Sequence, residues 1–140
     1  MNGGIVPSGY YHEYNTPSGT ISISEGGNSC GYVQFNKDAF WSGGHCYTLL
    51  SLNKEQIHYK YLYHFLKSEQ DNIMALRIGS GLPNIQKKEI ERVLIPIPTL
   101  DYQIAITKLL DNVSKHIEIE RALLSELTRQ KRFYLNAMFI

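Results

Sequence analysis

The stretch GSGLPNIQKKEIERVLIPIPTLDYQIAITKLLD, residues 79–111, passes from one kind of chain to another. GSGLPN is a glycine and proline loop, and IQKKEIERV is predicted as a short helix. VLIPIPTL is predicted extended, because Pro96 and Pro98 each disfavour helix in the residue before them. Beyond this boundary the pattern changes. From Asp101 to Met138 there is neither glycine nor proline. Ile106, Leu110, Val113, Ile117, Leu124, Leu127, Tyr134 and Met138 fall on steps of three and four, with Glu120 and Lys131 in the slots between. Such a helix is about 55 Å long. Its apolar stripe fits a second helix, and folding back onto its own domain is the alternative. The expected division is a globule over residues 1–99 and a long helix for dimerisation, spacing and assembly over 100–140.

Upstream, three short strands are predicted: GTISIS (Gly19–Ser24), GYVQF (Gly31–Phe35) and HCYTLLSL (His45–Leu52), separated by TPSG, EGGNS and WSGG. The Gly, Pro, Asn and Ser of these separators supply positive φ or local side-chain hydrogen bonds. From Lys54 to Ala75, Ile57, Tyr61, Leu62, Phe65, Leu66, Ile73 and Met74 recur at three and four, as in an amphipathic helix covering the sheet, with a polar stretch at Ser68–Asn72 able to break it in two. The fold class is therefore α+β: a small β-rich globule with covering helices, followed by one long C-terminal coiled-coil helix.

Composition narrows function by exclusion. No run approaches the ~18 apolar residues needed to cross a bilayer, and MNGGIVPSGYY lacks the basic region and apolar core of a secretory signal, so a cytoplasmic protein with no membrane partner is expected. A net charge of +1 gives no broad basic field, and any nucleic-acid contact must use local patches. Cys30 and Cys46 are too few for a disulfide framework and are expected as buried or half-buried free thiols. Cys46 beside His45 suggests a thiol nucleophile, but neighbours on a strand point to opposite faces. His12, Cys30, His45 and Cys46 lack the paired spacing of a structural zinc site. Neither EGGNSCG nor GSG contains a phosphate-cradling motif. No catalytic residue, metal or cofactor is expected in this chain.

What remains is a cluster of polar and aromatic loop residues suited to DNA. Asn15, Ser24, Glu25, Asn28, Ser29 and Gln34 can donate to or accept from base edges in the major groove. Tyr10, Tyr11, Tyr14, Tyr32 and Trp41 can pack on sugars or bases, while Arg77, Lys87, Lys88 and Arg92 can anchor phosphates. Taken singly, each fits an ordinary turn or surface role better than base reading, and the reading rests on their clustering.

The order of these parts resembles the DNA-specificity subunits of type I restriction-modification systems. The resemblance is carried by NGGIVPSGYYHEYN, by GTISISEGGNSCGYVQF followed by FWSGGHCYTL, and above all by residues 79–111, where a Gly-Ser loop, an Ile-x-Lys-Lys helix start, IPIP and a Gln four residues after Thr99 come in sequence. It implies a non-catalytic subunit that reads double-stranded DNA and directs adenine methylation and cleavage by modification and restriction subunits. S-adenosylmethionine, ATP and magnesium would belong to those partners. A complete subunit of this kind has two recognition domains separated by two antiparallel helices; one of each is present here, so a half-subunit, the second half of a longer subunit, or a fragment is expected. For a half-subunit, a homodimer through Ile106, Leu110, Val113, Ile117, Leu124, Leu127 and Tyr134 is expected. The rival reading is a protein-protein interaction module acting through the long helix, with no DNA readout.

Overall fold

In the computed structural model, which describes residues 1–139, three strands form an antiparallel sheet of order β2-β1-β3: β1 is Thr20–Ser24, β2 Val33–Asn36 and β3 Cys46–Leu49. The described residues divide into two compact units, the first being Met1–Ile104 and the second beginning at Ala105.

In the first unit the central strand is buried on both faces. Register places Ile21 opposite Phe35 and Leu49, and Ile23 opposite Val33 and Tyr47, so these six side chains share one face. That face enters the core with Cys30, Leu62, Leu66, Ile73 and Ile85. Leu62 and Leu66, one turn apart, come from α1 (Tyr59–Ser68), and Ile73 from α2 (Gln70–Ala75). Phe35 stacks on Tyr59 at 5.8 Å and meets Tyr63 at 5.5 Å.

The opposite face carries Thr20, Ser22, Ser24, Gln34, Asn36 and Thr48. Thr20, Ser22, Ser24 and Asn36 are nevertheless buried. Asn36 Nδ2 donates to the Thr20 carbonyl and to Ser22 Oγ, satisfying the polar groups from within. The N-terminal segment is tied beside this face: the Ser24 and Ser29 hydroxyls both donate to the Gly3 carbonyl, the Gly43 amide donates to the Met1 carbonyl, and Thr16 bridges Phe40. Gly3 has φ +78°, and a Cβ there would lie 2.6 Å from the His45 carbonyl. Glycine is required for that approach.

Several boundaries differ from the sequence reading: the second strand, expected at Gly31–Phe35, runs from Val33 to Asn36. The third strand, expected to run to Leu52, ends at Leu49, and Ser51 takes the left-handed φ of 57°. The helix expected from Lys54 starts at Tyr59. Residues 53–57 form one isolated turn, the Asn53 carbonyl accepting from the Gln56 and Ile57 amides and its Oδ1 from the Glu55 amide, and the His58 amide donates to Gln103 Oε1 in place of continuing that ladder. The expected break falls at Glu69, which separates α1 from α2. The short helix predicted over IQKKEIERV is confined to α3, Lys87–Ile90.

Helix α4 spans Leu100–Met138, 39 residues. Its first turn lies in the first unit, where the amide of Gln103 ties three backbone groups: Nε2 donates to the carbonyls of Gln56 and Pro98, both at 2.8 Å, and Oε1 accepts from His58. Gln103 is completely buried. Tyr61 Oη donates to the Pro96 carbonyl, fixing the IPIP segment. In the second unit every described residue from 112 onward is exposed.

Candidate nucleic-acid interface

The loop between β1 and β2, residues 25–31, is fastened on both sides. Its backbone exchanges hydrogen bonds with the 83–85 segment, Gly27 N–H to the Pro83 carbonyl and Ile85 N–H to the Glu25 carbonyl, each at 2.9 Å. Gly31 has φ +86°, and a Cβ there would sit 2.8 Å from Met74 Cα, so glycine lets the loop close against α2. Asn28 is the one exposed residue of the seven.

Glu25 sits at the base of this loop with its carboxylate occupied. Oε1 accepts from Tyr47 Oη at 3.2 Å and from Asn84 Nδ2 at 3.4 Å, and Oε2 lies 3.9 Å from His45 Nδ1. Burial, followed by the neighbouring Glu25 carboxylate, pushes the Tyr47 phenol above its ordinary range. Burial likewise raises the Cys30 thiol, whose Sγ donates to the Glu25 carbonyl. Cys46 is half-buried, and both cysteines are free.

The other sequence-selected residues fall into three settings. Asn15, Ser24 and Ser29 are engaged in internal hydrogen bonds. The Asn15 amide donates to the Ser42 carbonyl and accepts from the Ser42 amide and Thr16 Oγ1, while the two serines hold Gly3. Tyr32 lies beneath Lys67, whose Nζ is 3.8 Å from the ring centroid. Among the cations, Lys87 pairs with Glu91 and Arg92 with Glu89, whereas Arg77 and Lys88 have no ion pair among the described residues.

Tyr11 and Trp41 are brought together, edge to face, at 5.3 Å between ring centroids. They line a cleft of about 400 Å³ with Tyr10, Gln34 and Lys37. Tyr10 is 98% exposed, Tyr11 60% and Trp41 44%, so three large rings stand in solvent around one depression. Glu13 and Asp38 also line it and offset Lys37. The cleft therefore offers exposed ring faces, suited to stacking, in place of a phosphate seat. Gln34 Oε1 is shut off from solvent and is the one buried side-chain polar atom among the described residues without a hydrogen-bond partner. An unmatched acceptor of this kind is rare in a folded interior. The sequence reading placed Gln34 among several polar readers; nothing in the strand pattern alone separates it from Asn36, two residues on, whose amide is fully used.

The type I restriction modification DNA specificity domain matches residues 2–129. This chain belongs to that family. A type I specificity subunit of Mycoplasma pneumoniae is 34% identical over an alignment taking in 100% of this chain and 39% of that protein. One from Mycoplasma genitalium is 35% identical, with 100% and 38% covered. The crystal structure of a type I restriction-modification S subunit from M. genitalium superposes with a TM-score of 0.71 and 34% identity over 90% of this chain and 36% of that one. The specificity-domain chain thus spans about two fifths of the length of the curated relatives it matches. Among its described residues no helix is long and apolar enough to cross a membrane.

Proposed function

We propose that this specificity-domain chain reads one half of a split duplex DNA site and thereby directs the modification and restriction subunits of a type I system, which carry the methylation and cleavage chemistry. The observation that carries this reading is the family match over residues 2–129. The aromatic cleft supports where the reading occurs: Tyr10, Tyr11 and Trp41 offer faces to sugars or bases, Gln34 lines the same cleft, and Asn28 stands open at the β1–β2 loop. Glu25, Asn15, Ser24 and Ser29 set the shape of that surface through the bonds described above. Arg77 and Lys88, free of ion pairs among the described residues, supply phosphate contacts.

Two copies pair through α4 in this reading, giving two recognition domains per assembly and a palindromic split site. The exposed apolar stripe supports this: Val113 is 48% exposed, Ile117 45%, Leu124 65% and Leu127 51%. The same stripe is the observation that favours the rival, a helix-mediated interaction module without DNA readout.

Replacing Gln34 with methionine separates the two. Removing an unmatched buried acceptor is neutral or stabilising by up to about 1 kcal/mol, because no existing hydrogen bond is broken. Sequencing of methylated bases in cells carrying cognate partner subunits is expected to show the motif lost or altered at one base while the melting temperature holds or rises. An unchanged motif would remove Gln34 from the reading surface. Absence of any motif dependent on the unsubstituted chain would favour the interaction module.

A further inference from the structure

Between Val113 and Met138 the two charges in the stripe of α4, Glu120 and Lys131, lie symmetrically about the point midway between Ser125 and Glu126. Leu124 is matched by Leu127, Glu120 by Lys131, Ile117 by Tyr134 and Val113 by Met138. Because the stripe alternates steps of three and four without interruption from Ile106 to Met138, each of these matches joins an a position to a d position of the heptad.

Two identical helices packed antiparallel about a two-fold axis bring residue pairs together whose numbers sum to a constant, with a layered against d. The four matches above all share one sum. We infer that α4 pairs with α4 of a second copy in this single antiparallel register, with Glu120 of each copy against Lys131 of the other, and with overlap from Val113 to Met138. The inference rests on the homodimer reading, takes from the resemblance its antiparallel orientation, and adds the register with its Glu120–Lys131 contact.

Charge decides against the alternatives. Sliding one heptad either way sets Glu120 against Leu124 or Met138, and Lys131 against Val113 or Leu127, so that both charges lose their match and face apolar side chains. A parallel pair sets Glu120 against Glu120 and Lys131 against Lys131. In the chain itself both residues are exposed, and neither has an ion pair among the described residues, whereas Arg129 pairs with Glu126 at 2.6 Å. The apolar members are equally uncovered, Tyr134 being 60% exposed and Met138 73%. At 1.5 Å per residue the overlap is about 38 Å, eight layers deep. Polar residues placed singly in such a stripe fix register and partner at some cost in stability.

The test uses the full chain with three samples: Glu120→Lys, Lys131→Glu, and an equal mixture of the two. Each variant alone sets like charges at both symmetric contacts, and its dimer dissociation constant by sedimentation equilibrium is expected to rise about tenfold or more at low salt. In the mixture unlike charges meet at both contacts, and a heterodimer is expected to form about as tightly as the unsubstituted dimer, read by native mass spectrometry on a mass-labelled copy. Circular dichroism of each variant checks that helix content is retained. If the unsubstituted chain dimerises but the mixture gains nothing over the single variants, the register is wrong while the dimer stands. If the unsubstituted chain is monomeric at tens of micromolar, the dimer reading falls and the register with it.

Discussion

Gln103 joins the start of α4 to the distant 56–58 segment and to the Pro98 carbonyl just before the helix, and its replacement by leucine tests whether that joint stabilises the domain. The leucine side chain has nearly the same volume, so packing is kept while three hydrogen bonds of 2.8 Å are lost. The His58 amide and the carbonyls of Gln56 and Pro98 are then left without these partners around a site where Gln103 itself has no solvent exposure. At about 1 kcal/mol for each bond, the loss is about 3 kcal/mol, and it is larger where water cannot reach the orphaned group. With a urea m-value of about 1.5–2 kcal/mol/M, the unfolding midpoint should fall by about 1.5–2 M with little change in slope. Hydrogen exchange should locate the effect, the His58 amide exchanging faster in Gln103→Leu than in the unsubstituted chain. A midpoint lowered by less than about 0.3 M would refute the reasoning, since three partly buried backbone groups would then have been satisfied without the glutamine.

Further outcomes follow from the same geometry. Gly31→Ala places a Cβ 2.8 Å from Met74 Cα at a left-handed φ, and calorimetry should show a loss of about 3 kcal/mol from backbone strain and displacement of α2. A thiol reagent applied to the folded chain should modify half-buried Cys46 well before Cys30, which has no exposure; equal rates would show that the β1–β2 loop opens readily. Cys30 and Tyr47 both titrate above their ordinary values of 9.0 and 10.0, so the folded chain holds their protons longer than the unfolded chain does. Their contribution is complete below about pH 9 and is lost as pH rises through the raised values, and Tyr47→Phe should flatten the upper part of that decline in a urea midpoint against pH series.

Much of the architecture was legible because its signals are local. The three strands, the break near Glu69 and the long helix follow from alternation, polar punctuation and the absence of glycine and proline after Asp101. The displaced boundaries were not legible, because their causes are distant or depend on an unusual conformation. The His58 amide is taken by a side chain 45 residues away, and Ser51 adopts a positive φ that its residue type does not announce. The candidate interface was legible as a pool of residue types and not as a surface. Asn15 and Asn28 read alike in sequence, yet the amide of one is engaged with Ser42 and Thr16 while the other stands in solvent. Gln103 was legible as part of a recognisable run of residues, but its physical task, clamping three backbone groups, emerges only when the 53–58 and 96–98 segments meet it.

The two faces of β1 concentrate the stabilising contacts of the first unit in the strand and its immediate partners. Ile21 and Ile23 commit one face to the apolar core, whose loss would cost several kcal/mol per large residue. Thr20, Ser22 and Ser24 commit the other to hydrogen bonds, chiefly with Asn36 and backbone carbonyls. Stability therefore lies in the strand and its immediate partners. Tyr10, Tyr11 and Trp41 stand outside both sets, largely in solvent, and Gln34 makes no hydrogen bond through its buried oxygen. Exchanging these four residues is expected to alter the shape and chemistry of the cleft with little penalty to folding, the separation on which the proposed reading surface relies. It follows that Trp41→Ala should shift the melting temperature by only a few degrees while weakening duplex binding of the assembled complex several-fold, the stacking contribution of one ring being about 1–3 kcal/mol. A melting temperature lowered by more than about 10 °C would place Trp41 among the structural residues and break the separation argued from β1.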